Sequence, residues 1–211
     1  MKPISRRELL LGALSLAAAP PLSAATPPRF DPDRVYHNAI SGESARIVSA
    51  SPAAVRFEWI VQPGGGIVLE HEHPVQEEVF EILDGELSFL QGGQWRAHSA
   101  GEVIRVPRGV DHKACNPGTS PARAVVSLEP GLDALPALLV FWGMCDDGLL
   151  DPWGRPDPVT IAALTSHFQC CPRPAGVPDS VYPLSGLALA ALQARPAYRA
   201  LYRRYTGLEL S

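Results

Sequence analysis

Eight short segments between residues 55 and 128 either alternate polar and apolar residues or run apolar, and they constrain the fold most strongly. Turn-forming residues such as Gly64-Gly65-Gly66 and Asp84-Gly85 separate them. Because side chains along a strand point to opposite faces in turn, such segments predict short β-strands. The segments are VRFEWIV, GIVLEHEH, EEVFEIL, ELSFL, WRAH, EVIRV, VDHKACN and ARAVVSL. This density of strands predicts an all-β domain, a compact double-sheet barrel of jelly-roll type.

The first 25 residues have the three-part plan of an export signal. Lys2, Arg6 and Arg7 precede a mostly apolar run at residues 9–19, and small residues follow it. That run is much shorter than the roughly 20 residues that a membrane-spanning helix needs. We therefore expect a cleaved signal peptide, no stable membrane insertion afterwards, and a periplasmic or secreted protein. The adjacent arginines resemble a twin-arginine signal, and the general secretory route stays open.

The charge of the remaining chain argues against two classes of partner. Removing residues 1–25 leaves 15 Lys plus Arg against 21 Asp plus Glu, a net charge of about −6. No basic run remains, so neither nucleic acid nor an anionic membrane is an expected partner. The four cysteines permit a disulfide in an exported protein, but they lack the C-x-x-C spacing of a Cys-based zinc site.

Two further segments flank the predicted barrel. Residues 26–50 are Pro-rich and then polar, and they predict an N-terminal surface arm that could add an edge strand. After residue 130, apolar residues at 184–192 and 198–205 recur at helical spacing, with a break at Pro196. The sequence thus predicts an arm, a barrel at residues 51–130 and a helical C-terminal extension at residues 131–211.

Three of the predicted strands carry titratable residues that could meet inside the barrel. His71 and His73 are two residues apart, so a strand would place both imidazoles on one inward face and Glu72 on the other. Glu78 follows on the next strand, and His112 lies on a later one. The spacing therefore makes these histidines more informative than an isolated pair.

Two stretches around these residues resemble the two sequence motifs of the cupin superfamily. HEHPVQEEVFEILDG resembles the first motif, G-x5-H-x-H-x3-4-E-x6-G, with matches at Gly65, His71, His73, Glu78 and Gly85. GEVIRVPRGVDHKACN resembles the second, G-x5-P-x-G-x2-H-x3-N, with matches at Gly101, Pro107, Gly109, His112 and Asn116. The resemblance covers about residues 55–130. It implies a double-stranded β-helix with a metal site formed by His71, His73, Glu78 and His112.

Glu77 is a rival for the carboxylate ligand, because the first motif allows either position. Glu78 keeps six residues before Gly85, as the motif requires. Alternation from Glu78 also places Phe80 and Ile82 on the inner face. Glu78 is therefore the expected ligand.

The implied ligand set suits one divalent transition metal. Three imidazoles and one carboxylate form a mixed nitrogen and oxygen set that accepts Fe, Mn, Ni, Co, Cu or Zn. Four protein ligands leave one or two coordination positions for water or substrate. Glu78 either remains a ligand or dissociates to take a substrate proton, which makes it the candidate catalytic residue.

Other candidate residues carry weaker signals. His98 is expected at the surface, and His37 and His167 lie outside both motifs. Phe57 and Trp59 share one strand face, where they pack in the core or form a pocket wall if that face is inward.

Several functions are compatible with the resemblance, because one fold supports many reactions. The leading hypothesis is a metal-dependent oxidoreductase of dioxygenase type acting on a small enolisable or phenolic compound. The alternatives are an isomerase or lyase acting on a sugar or keto acid, and a non-catalytic periplasmic protein that binds a small ligand or a metal. A small molecule is the expected partner, and the sequence leaves a homodimer open.

Overall fold

The structure is a computed structural model that describes residues 28–67, 69–170, 172–177 and 196–209. The predicted signal peptide at residues 1–25 and the periodic stretch at residues 184–192 lie outside these ranges, as does Cys171. Among the described residues, no helix has the length and apolar character required to cross a membrane.

Eleven strands in this part of the chain form two antiparallel sheets, which confirms the predicted all-β barrel. The first sheet has the order β1-β2-β3-β10-β5-β8, and the second has the order β11-β4-β9-β6-β7. The strands are β1 Tyr36–Asn38, β2 Glu43–Ala50, β3 Val55–Val61, β4 His71–Glu72, β5 Glu77–Asp84, β6 Glu86–Gln91, β7 Gln94–Ser99, β8 Val103–Val106, β9 His112–Cys115, β10 Ala122–Glu129 and β11 Arg173–Pro174. Beyond residue 130, the described ranges contain three helices, which are α1 Ala134–Asp146, α2 Pro158–His167 and α3 Pro196–Thr206.

The predicted strand GIVLEHEH is the one that differs most from the structure. Only its end forms β4, while Gly66 makes an isolated bridge to Cys115. Gly66 has φ +144°, and a Cβ there would lie 2.4 Å from the carbonyl oxygen of Ala114. This close approach of two backbones requires glycine and prevents a regular strand.

The segment predicted as a surface arm contributes two strands to the first sheet. β2 pairs with β3 along its length, and β1 forms the edge. Ala45 and Ile47 are each only 1% exposed. The inward face of this segment therefore belongs to the barrel core.

The core lies between the two sheets because each strand turns one face inward. Residues of β3 alternate between buried and half-buried positions along its whole length. Phe80 of the first sheet and Phe89 of the second meet edge to face, with ring centroids 4.8 Å apart. Such aromatic contacts stabilise the sheet packing beyond the area that they bury.

Helix α1 covers one side of the barrel and packs against α3. It has buried apolar residues around most of its circumference, as expected for a helix covered on both sides. In α3, Tyr198 and Tyr202 are buried, in agreement with the helical spacing of the apolar residues there. The ring of Tyr205 lies directly over Gly143 of α1, so that a Cβ at Gly143 would be 2.3 Å from it.

We predict that Gly143→Ala destabilises the protein although alanine favours helices. The clash with Tyr205 should cost more than the roughly 1 kcal/mol of helix propensity gained, for a net loss of about 1–2 kcal/mol. Urea unfolding measures this change. In a Tyr205→Ala background the clash is absent, so Gly143→Ala should there be stabilising; a loss in both backgrounds would contradict the packing described.

Candidate metal centre

Four side chains from three strands and one loop converge inside the barrel. His71 lies on β4, His73 just after it, Glu78 on β5 and His112 on β9, and one ligand atom of each lies within 4.8 Å of the others. His71 and His112 are cross-strand partners in the β4–β9 pair. The fold therefore brings together all four residues that the sequence pointed to, in a cluster that could hold a metal ion.

The imidazoles face the carboxylate across the gap between the two sheets. His112 Nε2 lies 2.8 Å from Glu78 Oε2, and His73 Nε2 lies 3.3 Å from the same oxygen. His112 is fully buried, and the other two residues of these pairs are less than a tenth exposed. The donor atoms thus point towards one another rather than into solvent.

Backbone carbonyls orient two of the rings. His71 Nδ1 donates to the carbonyl oxygen of Leu69 at 2.9 Å, and His112 Nδ1 donates to that of Val110 at 3.0 Å. A carbonyl can only accept, so each Nδ1 carries a proton and each neutral ring presents the lone pair of Nε2 to the cluster. Such outer hydrogen bonds fix the ring orientation that a metal ligand needs.

The contact between His112 and Glu78 requires a proton or a metal ion between the two side chains. A neutral His112 would turn its Nε2 lone pair towards an ionised Glu78 at 2.8 Å, which is unfavourable without a proton or a metal ion between them. Both ring nitrogens of His73 are buried; Nδ1 has no hydrogen bond among the described residues, and Nε2 has only its 3.3 Å contact with Glu78 Oε2. Buried polar atoms are normally satisfied, so this donor set fits a bound metal ion.

The protonation equilibria of the cluster are displaced in different directions. Burial, together with the neighbouring His73 and His112, lowers the pKa of His71 to about 3. Burial alone would raise the pKa of Glu78, but the charge of His73 and hydrogen bonds from His112 and His73 lower it overall. His71 therefore stays neutral, as a metal ligand must, beside an ionised carboxylate.

The other titratable candidates lie outside the cluster. Glu77 points away from it and bonds to Arg105 at 2.5 Å. His98 contacts Glu102 at 3.2 Å, and His37 contacts Ser44 at 3.0 Å. His167 packs against Phe168 and Tyr202, and Cys115 is half-buried on β9 without joining the ligand group.

A cavity of about 220 Å³ adjoins the cluster and is bounded by the barrel, α1, α2 and residues 154–156. Phe57 and Trp59 line it, so their shared face is both core and pocket wall. The walls are mainly aliphatic and aromatic side chains, which is typical of a site for a small organic molecule.

Glu43 also lines this cavity, and sequence reasoning missed it. It accepts hydrogen bonds from Trp59 Nε1 at 2.9 Å and from the hydroxyl of Ser41. On β2, Glu43 points to the same inward face as Ala45 and Ile47. The alternation of the strand therefore indicated that Glu43 would be buried. Burial raises the pKa of Glu43 although both hydrogen bonds lower it.

We predict opposite pH trends for two glutamate substitutions. Since folding raises the pKa of Glu43, the folded chain holds that proton to higher pH than the unfolded chain, and wild-type stability falls as pH rises. Glu43→Gln has no such proton to lose, so this pH-dependent fall in stability is absent. The unfolding free energy of the variant minus that of the wild type should therefore increase between about pH 4 and 8.

Glu58 on the outer face provides the control. The hydrogen bond from Arg46 holds the pKa of Glu58 below its usual value, so that stabilisation is present at neutral pH and is lost as pH falls. Glu58→Gln should therefore lose stability relative to wild type as pH rises. Urea unfolding at several pH values measures both trends, and parallel trends would contradict the environment described for Glu43.

Comparison with known proteins supports the family resemblance over the barrel. Residues 57–128 match the family model described as Cupin domain. A sugar phosphate isomerase from Silicibacter pomeroyi is 21% identical, with a TM-score of 0.41, over 44% of this chain and 62% of that one. An uncharacterized conserved protein with a double-stranded beta-helix domain from Klebsiella pneumoniae is 25% identical, with a TM-score of 0.42, over 49% of this chain and 90% of that one. A predicted oxalate decarboxylase from Thermotoga maritima is 20% identical, with a TM-score of 0.40, over 42% of this chain and 80% of that one.

A search of curated protein sequences gives no significant match. The family model nevertheless spans β3 to β10, the strands that contain both motifs and all four clustered residues. The two antiparallel sheets agree with the fold that those motifs imply. Residues 57–128 of this chain therefore resemble a cupin domain in sequence and have the two-sheet architecture that this resemblance implies.

Proposed function

We propose that this protein is a metal-dependent oxidoreductase of dioxygenase type that acts on a small enolisable or phenolic compound. The observation that carries the proposal is the joint position of the cluster and the cavity. His71, His73 and Glu78 of the four-residue cluster line a mainly apolar space of about 220 Å³, and His112 lies buried directly behind Glu78. Such a space suits a compact organic molecule with an oxygen directed at the ligand set.

His71, His73, Glu78 and His112 would hold one divalent transition metal. Nitrogen and oxygen ligands of this kind accept Fe, Mn, Ni, Co, Cu or Zn. When bound, the metal would supply Lewis-acid activation of the substrate's oxygen and, if redox-active, the electron chemistry with dioxygen. The two backbone-bonded imidazoles keep the ligand geometry fixed while substrate enters.

Glu78 is positioned to act as the base. Its Oε2 lies at the centre of the cluster, and its low pKa keeps it ionised at neutral pH. On dissociating from the ligand set, Glu78 would take the proton of a substrate hydroxyl or enol directed at the cluster, leaving an electron-rich anion. The mainly apolar walls offer few groups that could return a proton to this anion.

We also propose that the protein works outside the cytoplasm, in the periplasm or after secretion. The support is the signal-like plan of residues 1–25. Fractionation of expressing cells, with the N-terminus of the mature chain sequenced, tests this proposal.

We predict that His112→Ala abolishes tight metal binding, because it removes a buried ligand and leaves Glu78 without its 2.8 Å partner. His98→Ala is the matched control, since His98 bonds only to Glu102 among the described residues and lies away from the cluster. Metal per chain is measured by elemental analysis of protein purified without a histidine tag. Equal metal loss in both variants would contradict the site.

We predict oxygen uptake by the metal-loaded protein with catechol, para-propylphenol or a linear β-diketone as probes. Chelation should stop it, and Glu78→Gln should lower the rate by about a hundredfold or more through loss of the base. Glu77→Gln is the matched control, because Glu77 lies on the same strand and bonds outward to Arg105.

The outcomes separate the candidate functions. Turnover that persists without oxygen would replace the proposal with isomerase or lyase chemistry. Metal or probe binding with no turnover of any kind would indicate a binding protein.

A further inference from the structure

Few polar side chains line the cavity apart from the histidine and glutamate cluster. Among the described lining residues they are Asn38, Glu43 and Arg155. Arg155 is paired with Asp151 at 2.9 Å and lies over the Trp153 ring, so its charge is already compensated. The side-chain oxygen of Asn38 accepts the backbone N–H groups of residues 40 and 41. Glu43 is therefore the lining group to consider as a second polar contact for a ligand.

Glu43 and Glu78 lie at opposite ends of the cavity wall. At one end of β3, Val61 pairs with Glu43 of β2. At the other end of β3, Val55 pairs with Leu128 of β10, and Leu128 also pairs with Glu78 of β5. At about 3.3 Å per residue, these backbone levels are roughly 20 Å apart along the strand.

One face of α1 also lines the cavity. It presents Ala134, Ala137, Leu138, Phe141 and Trp142 to the cavity, and none of these side chains offers a strong acceptor. The wall that α1 contributes is thus mainly apolar.

The carboxyl group of Glu43 has unused acceptor capacity. Trp59 and Ser41 donate one hydrogen bond to each of its oxygens, whereas a carboxylate has about four acceptor sites. No ion pair to Glu43 occurs among the described residues. A ligand that offers a hydrogen-bond donor at this end would occupy a vacant acceptor site.

We propose that Glu43 is a specificity-determining residue that accepts a hydrogen bond from a neutral hydroxyl at the far end of a mainly apolar substrate. This inference rests on the proposed function, in which the other oxygen of the substrate meets the histidine cluster. Sugars and sugar phosphates are disfavoured, because their hydroxyl groups would be buried against apolar walls without partners. Anionic ends are disfavoured because Arg155, the cationic side chain among the described lining residues, is already paired with Asp151.

Four para-substituted phenols test the proposal, because they share a ring and a three-carbon chain and differ in the terminal group. They are para-propylphenol, para-(hydroxypropyl)phenol, para-(aminopropyl)phenol and para-hydroxyphenylpropionic acid. Calorimetric titration of the metal-loaded wild type should give about tenfold tighter binding of the hydroxyl probe than of the propyl probe. The carboxylate probe should bind most weakly.

Glu43→Gln should change the selectivity rather than only the affinity. The preference for the hydroxyl probe should fall to about threefold or less, and the carboxylate probe should gain about tenfold, because an amide N–H donor is added. Glu81→Gln is the matched control, since Glu81 lies on the outer face and pairs with Arg56 at 3.0 Å. It should leave all four dissociation constants unchanged.

The ranking of the probes on wild type needs no variant. Equal binding of the propyl and hydroxyl probes, or no binding of any probe, would overturn the inference. Tighter binding of the amino probe than of the hydroxyl probe would also overturn it, because the site would then select a cation. Unchanged selectivity in folded Glu43→Gln would show that Glu43 only anchors Trp59 and Ser41.

Metal content separates the two proposals. If the wild type binds no metal but keeps the predicted probe ranking, the metal-dependent function fails and the assignment of Glu43 stands. If it binds metal and turns over a probe without this ranking, the assignment of Glu43 alone fails.

Discussion

The contact between Glu78 and His112 is the constraint on which the centre of this barrel depends. It joins β5 of the first sheet to β9 of the second across a 2.8 Å gap, in the fully buried interior. A buried carboxylate surrounded by imidazoles is costly unless a proton or a metal ion compensates its charge. The contact between Phe80 and Phe89 holds the two sheets together on the adjacent apolar side. The contact between Glu78 and His112 and the contact between Phe80 and Phe89 thus both contribute to the distance between the two sheets.

The barrel was predictable from short-range periodicity, and the cluster from the resemblance to the two cupin motifs. Alternation along β3 and β5 fixes which residues face inward, and it places Phe80 and Ile82 beside Glu78 as expected. The same rule places Glu77 outside. The two motifs contain residues from strands that are distant in the sequence. The four ligand candidates could therefore be named before their geometry was known.

Features that depend on contacts between distant segments could not be predicted in this way. Helix α1 is apolar around most of its surface, so its periodicity does not show that it covers the cavity on one side and contacts α3 on the other. Alternation along the strand places Glu43 on the inward face, but a charged residue on a segment predicted as a surface arm was not expected to be buried. The shortness of β4 follows from the close approach at Gly66, which the strand pattern does not reveal.

The cover over the cavity matters for the chemistry as well as for the shape. Electrostatic interactions strengthen when water is excluded, so the influence of Glu78 on a substrate proton depends on α1 remaining in place. Gly143 lets Tyr205 of α3 approach α1 closely, while Phe141 and Trp142 of the same helix line the cavity. Packing against α3 therefore helps to hold the apolar wall of the cavity in place, so that under the proposed function α3 would influence substrate selection through α1.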